Sequence, residues 1–332
     1  MRSFAYERPQ SVDALRARSN DMRRTQAFVA GGTTLFDLMK LDVMQPDGVI
    51  DINPLAGDLG RIQASDRGLR LGALVRMAEA ADDPRIKRDY PVLAQSLTLA
   101  VSPQIRNMAS LGGNVLQRTR CHYFRDTSWE NCNKRNPGSG CAALEGFNRI
   151  HAVLGGSEQC IATYPGDFAQ ALIALDGIVE IQGRAGRRTL AFEKLHRPPG
   201  DSPDIETVLE PGDLITAFLI PATAAAKRSA YLKIRDRESY EFALASAAVA
   251  LDMANGSVRD ARIALGGVAT KPWRARDAER ALIGKALDED SARLAGEIAF
   301  QGAAPREHNS YKIALGRETV ARALMHVAQM EI

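Results

Sequence analysis

All four cysteines of the 332-residue chain, Cys121, Cys132, Cys141 and Cys160, fall within one 40-residue window. A thiolate is a soft ligand for iron and zinc, and two thiols can also oxidise to a disulfide. The spacing is Cys-x10-Cys-x8-Cys-x18-Cys. Disulfides suit secreted chains, but the opening MRSFAYERPQ has no apolar signal segment, and a chain of this size folds without staples. Structural zinc sites use close Cys pairs, and none occurs here. Four thiolates from an irregular loop can also hold an iron–sulfur cluster. Nearby Gly and Asn residues would supply amide donors, and Arg118, Arg120, Lys134 and Arg135 would offset its negative charge. On spacing alone these chemistries, and a chance grouping of buried cysteines, all stay open. His122 and His151 lie in the same window and either could replace a thiolate, although an ordinary solvated or hydrogen-bonded histidine is the simpler role.

Two glycine pairs point to a second chemistry. Gly31-Gly32 follows an apolar run and precedes Thr33 and Thr34, and Gly112-Gly113 lies between Ser110 and Asn114. Glycine lets consecutive backbone amides converge on an anion, and a following helix N-terminus adds a favourable dipole. One such pair is most simply a tight turn; two with small polar flanks suggest two loops gripping one diphosphate. Gly155-Gly156 and Gly266-Gly267 read as turns. The string from Gly138 to Ala143 matches G-x-G-x-x-A, but no strand leads into it, so the dinucleotide fingerprint is rejected. His196, His308 and His326 are scattered, and no catalytic nucleophile emerges.

The elements that would position these residues fall into two parts. Strands near 4–6, 26–30, 48–52 and 69–73 alternate with helices near 11–15, 35–41, 75–81 and 91–100, which suggests an α/β domain. From about 118 to 162 the periodicity collapses into a loop-forming stretch that holds the cysteines. It returns with a helix over 167–175 and strands over 178–182 and 214–220, the last closed by Pro221. Residues 222–229 read as a linker. Strands near 231–235, 244–252 and 258–265, with a hairpin turn at Asn255-Gly256, then predict a three-stranded antiparallel sheet, with helices to the end. The expected domains are 1–222 and 224–332, an α/β domain followed by a smaller α+β domain. A formal charge of +3 argues against a nucleic-acid partner, and no apolar run approaches membrane-span length.

Together these residues resemble the FAD-binding subunits of the molybdenum hydroxylases, the xanthine dehydrogenase and carbon monoxide dehydrogenase flavoprotein family, over nearly the whole chain. Phe28, Val29, Ala30, Gly31, Gly32, Thr33, Thr34 and Leu35 resemble the first flavin loop, and Ser110, Leu111, Gly112, Gly113 and Asn114 the second. Residues 259–268 with Lys271, Pro272, Trp273 and Arg274 resemble the hallmark of the C-terminal domain. In most relatives the second loop runs within a few residues to an aspartate that contacts the flavin side chain. Here about forty residues intervene before Asp167, and they hold all four cysteines. This insertion is similar to the subgroup whose flavin subunit carries an additional [4Fe-4S] cluster, with the aldehyde oxidoreductases resembled most throughout.

The resemblance implies a two-part, PCMH-like FAD-binding domain and two cofactors, FAD and one [4Fe-4S] cluster, the latter on Cys121, Cys132, Cys141 and Cys160. The two loops would wrap the pyrophosphate and ribityl chain. Asp167 would bond ribityl or ribose hydroxyls, Ile215 would pack on the flavin, and Lys233 would approach the ring, where a cation stabilises reduced, anionic flavin. The plainer roles are a helix cap for Asp167 and a surface position for Lys233. The resemblance further implies an electron-transfer subunit of an aldehyde-oxidising heterotrimer, single or further dimerised, with a molybdenum-cofactor catalytic subunit and a [2Fe-2S] subunit. It would reside in the cytoplasm, or in the periplasm by co-export with a partner that carries the signal. A self-sufficient FAD oxidase would need its own substrate pocket and base; a zinc-stabilised binding module would need neither flavin nor iron.

Overall fold

The structure, a computed structural model, describes residues 1–19 and 25–331. Three strands begin the chain: β1 (Ala5–Glu7), β2 (Gln26–Val29) and β3 (Gly48–Asp51). They form an all-parallel sheet in the order β1-β3-β2, with β3 buried along its whole length. Parallel neighbours need crossovers, and the helices Val12–Ser19 and Leu35–Lys40 lie in the two connections. Ser11 accepts the amide of Ala14 to start the first of these.

A second sheet is antiparallel and draws on distant parts of the chain. It contains β4 (Ile62–Ser65), β5 (Gly68–Gly72), β6 (Ile178–Gly183), β7 (Gly186–Ala191) and β8 (Leu214–Pro221), ordered β4-β5-β8-β6-β7. The central strand β8 is apolar on both faces, as expected for a strand covered on both sides. The turn that the sequence suggests over Gly183–Arg187 is tighter than that, with β6 running to Gly183 and β7 starting at Gly186. The core of this part is built on the helices Pro91–Thr98 and Phe168–Ala174, whose buried residues include Leu93, Leu97, Phe168 and Leu172.

The third sheet differs from expectation by one strand. The strands β9 (Ser229–Ile234), β10 (Ala245–Ala254) and β11 (Ser257–Gly266) form the expected antiparallel meander, and a fourth, β12 (Trp273–Arg274), pairs with β11 at Ala264 and Leu265. A two-residue strand next to a proline is too short to show any alternation. The first seven residues of β10, ASAAVAL, are all buried, because helix Tyr311–Ala328 covers one side and helix Phe168–Ala174 approaches the other. Its many alanines permit that close approach. The expected linker also holds structure: Thr223 caps a one-turn helix, Ala224–Lys227.

The insertion is as irregular as its composition implies, with one short helix, His122–Arg125, and isolated bridges joining Cys132 to Cys141 and Ser157 to Cys160. It nevertheless has its own small core, in which Tyr123, Phe124, Ala143 and Ile161 pack with Leu38 and the cysteines. Among the described residues, no helix is long and apolar enough to cross a membrane.

Candidate functional site

Both glycine loops border one cavity of about 210 Å³, at the C-terminal end of β2 and beside β8. Phe28, Val29, Ala30, Gly32, Thr33, Thr34 and Leu35 line it from the first loop, Ser110, Gly112 and Gly113 from the second, and Ile215 from β8. Gly31 brings the loops together. A Cβ there would stand 2.1 Å from the carbonyl oxygen of Met108, two residues before Ser110. Gly32 has φ +71°, a conformation glycine adopts without strain. The remaining tie is polar: Asn53 donates to Ala30 O (2.9 Å) and accepts from Arg76 (2.9 Å), which donates to Met108 O (2.5 Å).

The loops differ in what they can offer a phosphate. Among the described residues, no backbone carbonyl engages the amides of Gly31, Gly32, Thr33 or Thr34. In the second loop the Leu111 amide already donates to Val75 O (3.0 Å) and the Gly112 amide to Ala73 O (2.8 Å). The Gly113 amide is taken by the Ser110 hydroxyl (3.2 Å). The Leu111 side chain is buried in the core, so this residue anchors the loop and does not line the cavity. The first loop can therefore grip an anion, and the second forms a close wall.

Thr33 also lines a second cavity, whose other walls include Asn114, Asp167 and Lys233. Thr33 is the residue that the linings of the two cavities share. Asn114 Oδ1 is buried with no partner, an acceptor to be satisfied by a ligand or water. Asp167 precedes helix Phe168–Ala174 but its side chain makes no capping bond. Instead Oδ2 accepts from Lys233 Nζ (2.8 Å) and Oδ1 from the Tyr231 hydroxyl (2.7 Å). Burial pushes the Asp167 carboxyl up, against the pull of Lys233 and Tyr231. Lys233 is no surface lysine: its side chain is 1% exposed. Neither residue was expected to be the other's partner. The signal was present, since Tyr231 and Lys233 alternate onto one face of β9.

The four cysteines converge on one small recess, and all are free thiols. Burial pushes the Cys121 thiol up to about 12 and that of Cys160 to about 11. Among the described residues, no group of three or more His, Cys, Asp or Glu is arranged to hold a metal ion. The donor set nonetheless fits a thiolate-held group: the thiols share one space, and the Ala162 amide lies 3.4 Å from Cys160 Sγ. His151 Nε2 lies 3.1 Å from Cys121 Sγ, so that histidine contacts a thiol and does not replace one. His122 lines a separate cavity between the insertion and residues 236–244, not the recess. Of the basic neighbours, Lys134 is buried, and with Arg118 it holds Glu206. Burial pushes Glu206 up, but these two cations outweigh it and keep the carboxyl below its usual value. Arg120, next to Cys121 in the chain, lies 5.0 Å over the Phe242 ring, and both residues line the second flavin-side cavity.

A parallel N-terminal sheet, a split antiparallel sheet, two converging glycine loops and a covering meander define a flavin-binding oxidoreductase subunit. Residues 2–223 match the FAD binding domain in molybdopterin dehydrogenase, and residues 230–327 the CO dehydrogenase flavoprotein C-terminal domain. The chain belongs to this family, the FAD-binding subunits of the molybdenum hydroxylases. It is 46% identical over 326 residues to the aldehyde oxidoreductase FAD-binding subunit PaoB of Escherichia coli K12, covering 98% of both chains. It is 26% identical to the carbon monoxide dehydrogenase medium chain of Hydrogenophaga pseudoflava, over 97% of this chain and 96% of that one. The solved carbon monoxide dehydrogenase of Hydrogenophaga pseudoflava, lacking the Mo-pyranopterin moiety, superposes with a TM-score of 0.76 at 27% identity, over 98% and 96% of the chains.

Proposed function

We propose that this chain is the FAD- and [4Fe-4S]-containing electron-transfer subunit of a molybdenum-dependent aldehyde oxidoreductase. Its partners in that reading are a catalytic subunit with the molybdenum cofactor and a [2Fe-2S] subunit, together a heterotrimer. The complex resides in the cytoplasm, or in the periplasm when exported on a partner's signal. FAD, when bound, supplies the exchange of electrons between the partner's clusters and an external acceptor. The chain's own residues bind and tune it. The amides of Gly31 to Thr34 would hold the pyrophosphate, Ile215 would pack on the flavin, and Asp167 and Lys233 line the second cavity with their charges. Lys233 holds positive charge where it favours reduced flavin.

Four thiols lining one recess, three of them buried, support the cluster assignment, with Cys121, Cys132, Cys141 and Cys160 as its ligands. The likeness to the PaoB subunit supports the aldehyde assignment. The test is to purify the co-expressed complex and measure flavin, iron, acid-labile sulfide and zinc. One FAD, and four irons beyond those of the [2Fe-2S] clusters, are expected, with bleaching of the flavin band on adding an aldehyde. Iron that the partner chain fully accounts for would contradict the cluster. One zinc in its place would favour a zinc-braced loop.

A further inference from the structure

The two carboxylate oxygens of Asp167 have separate donors. Lys233 Nζ takes Oδ2 at 2.8 Å, and the Tyr231 hydroxyl takes Oδ1 at 2.7 Å. Tyr231 is 4% exposed, and its oxygen accepts from Ser246 Oγ on the neighbouring strand β10 at 2.8 Å. Its backbone is fixed as well, because the Tyr231 amide donates to Gln95 Oε1 at 2.7 Å. Lys233 Nζ makes a second bond, to Leu99 O at 3.1 Å. An ammonium has three donors, so one remains for the cavity that Lys233 lines.

We propose that Tyr231 is a positioning residue of the flavin site: its hydroxyl, oriented by Ser246, holds Asp167 as a fixed carboxylate and so sets how much of the Lys233 charge reaches the flavin. This rests on the reading that FAD occupies the two cavities. A buried carboxylate needs donors to stay charged. With Tyr231 present, Lys233 shares that load and keeps an N–H toward the cavity. Without the hydroxyl, Asp167 turns its full demand on Lys233, drawing the ammonium inward and making the field at the cavity more negative. Reduced, anionic flavin is then less favoured.

The test is Tyr231→Phe in the co-expressed complex, read by FAD content and by the flavin midpoint potential in a dye-calibrated spectroscopic titration. A hydrogen bond to a charged group is worth enough that the ratio of reduced to oxidised flavin at fixed potential falls about tenfold. FAD stays bound near the wild-type level. Ser246→Ala moves the potential in the same direction by less, and it keeps the experiment decisive if Tyr231→Phe fails to fold. Bound FAD at the wild-type potential in the phenylalanine variant, or in Ser246→Ala where only that variant folds, overturns the proposal. A wild-type complex without FAD overturns the flavin reading itself, a different failure.

Discussion

Lys233 Nζ sits 2.8 Å from Asp167 Oδ2, and the two side chains are 1% and 5% exposed. The carboxylate and the ammonium that line the second cavity are thus engaged with each other. A buried pair of this kind adds little net stability, but breaking it leaves a charge with no counterion. Its role lies in holding a charge at a fixed place.

Asp167→Asn isolates the Lys233 ammonium in a buried setting. The expected cost is about 3–5 kcal/mol, measured by denaturant unfolding. Adding Lys233→Met to that variant should recover part of the loss, because the double variant buries no charge. Equal and additive losses from the two single changes would show that the pair does not couple.

Gly31→Ala places a Cβ 2.1 Å from the Met108 carbonyl oxygen, where backbone must move. The loops part, and FAD content falls severalfold while far-ultraviolet circular dichroism stays close to wild type. Gly57→Ala is the control, since a Cβ at Gly57 meets nothing within 4 Å. Equal FAD retention by both variants would remove the close-approach argument.

His196 predicts an acid-sensitive core. Burial lowers its pKa from 6.5 to about 4, while Nε2 keeps a 2.9 Å bond to Val115 O. The native histidine is therefore neutral over a range where the unfolded chain already takes up a proton. Stability is lost as pH falls from about 6.5 to about 4, by about 3 kcal/mol in total, and levels off below. His196→Phe lowers stability at pH 7 by removing the Val115 bond, but its stability profile over this pH range should be flatter. Parallel profiles for variant and wild type would assign the acid loss to other groups.

Cys132→Ser, and separately Cys141→Ser, should lower the iron of the complex by about one four-iron cluster. FAD should persist, because the glycine loops that border its cavity lie outside the insertion. Unchanged iron in both variants would place the cluster elsewhere.

Much of this site was legible from residue types. The glycine loops stood out because Gly31 and Gly112 sit between a strand or bend and small polar residues, and the backbone approach they permit is local. The cysteines stood out because they cluster, and the loss of periodicity around them marked the insertion. The Asp167–Tyr231–Lys233 contact was not legible as a contact. It joins residues 64 to 66 positions apart, one at the start of helix Phe168–Ala174 and two on β9, which meet only through tertiary packing. The strand β12 was missed because two residues show no pattern. Leu111 was assigned to the cavity by its place in a motif, whereas its apolar side chain follows the core.

The insertion draws its partners from both ends of the protein. Arg118 and Lys134 hold Glu206, and Arg120 and Arg125 hold Asp37, all within the first domain. Its later half is bonded to the second: Val153 and Leu154 donate to Val268 O, Asn309 to the carbonyls of His151 and Ala152, and Lys312 to Ile150 O. Those acceptors and donors are synthesised more than a hundred residues after the segment they secure. A ribosome that has just finished Cys160 has made all four thiols, but not the C-terminal residues that secure residues 150–154. Residues 150–154 therefore gain their full set of hydrogen bonds only after the start of the last helix has been made.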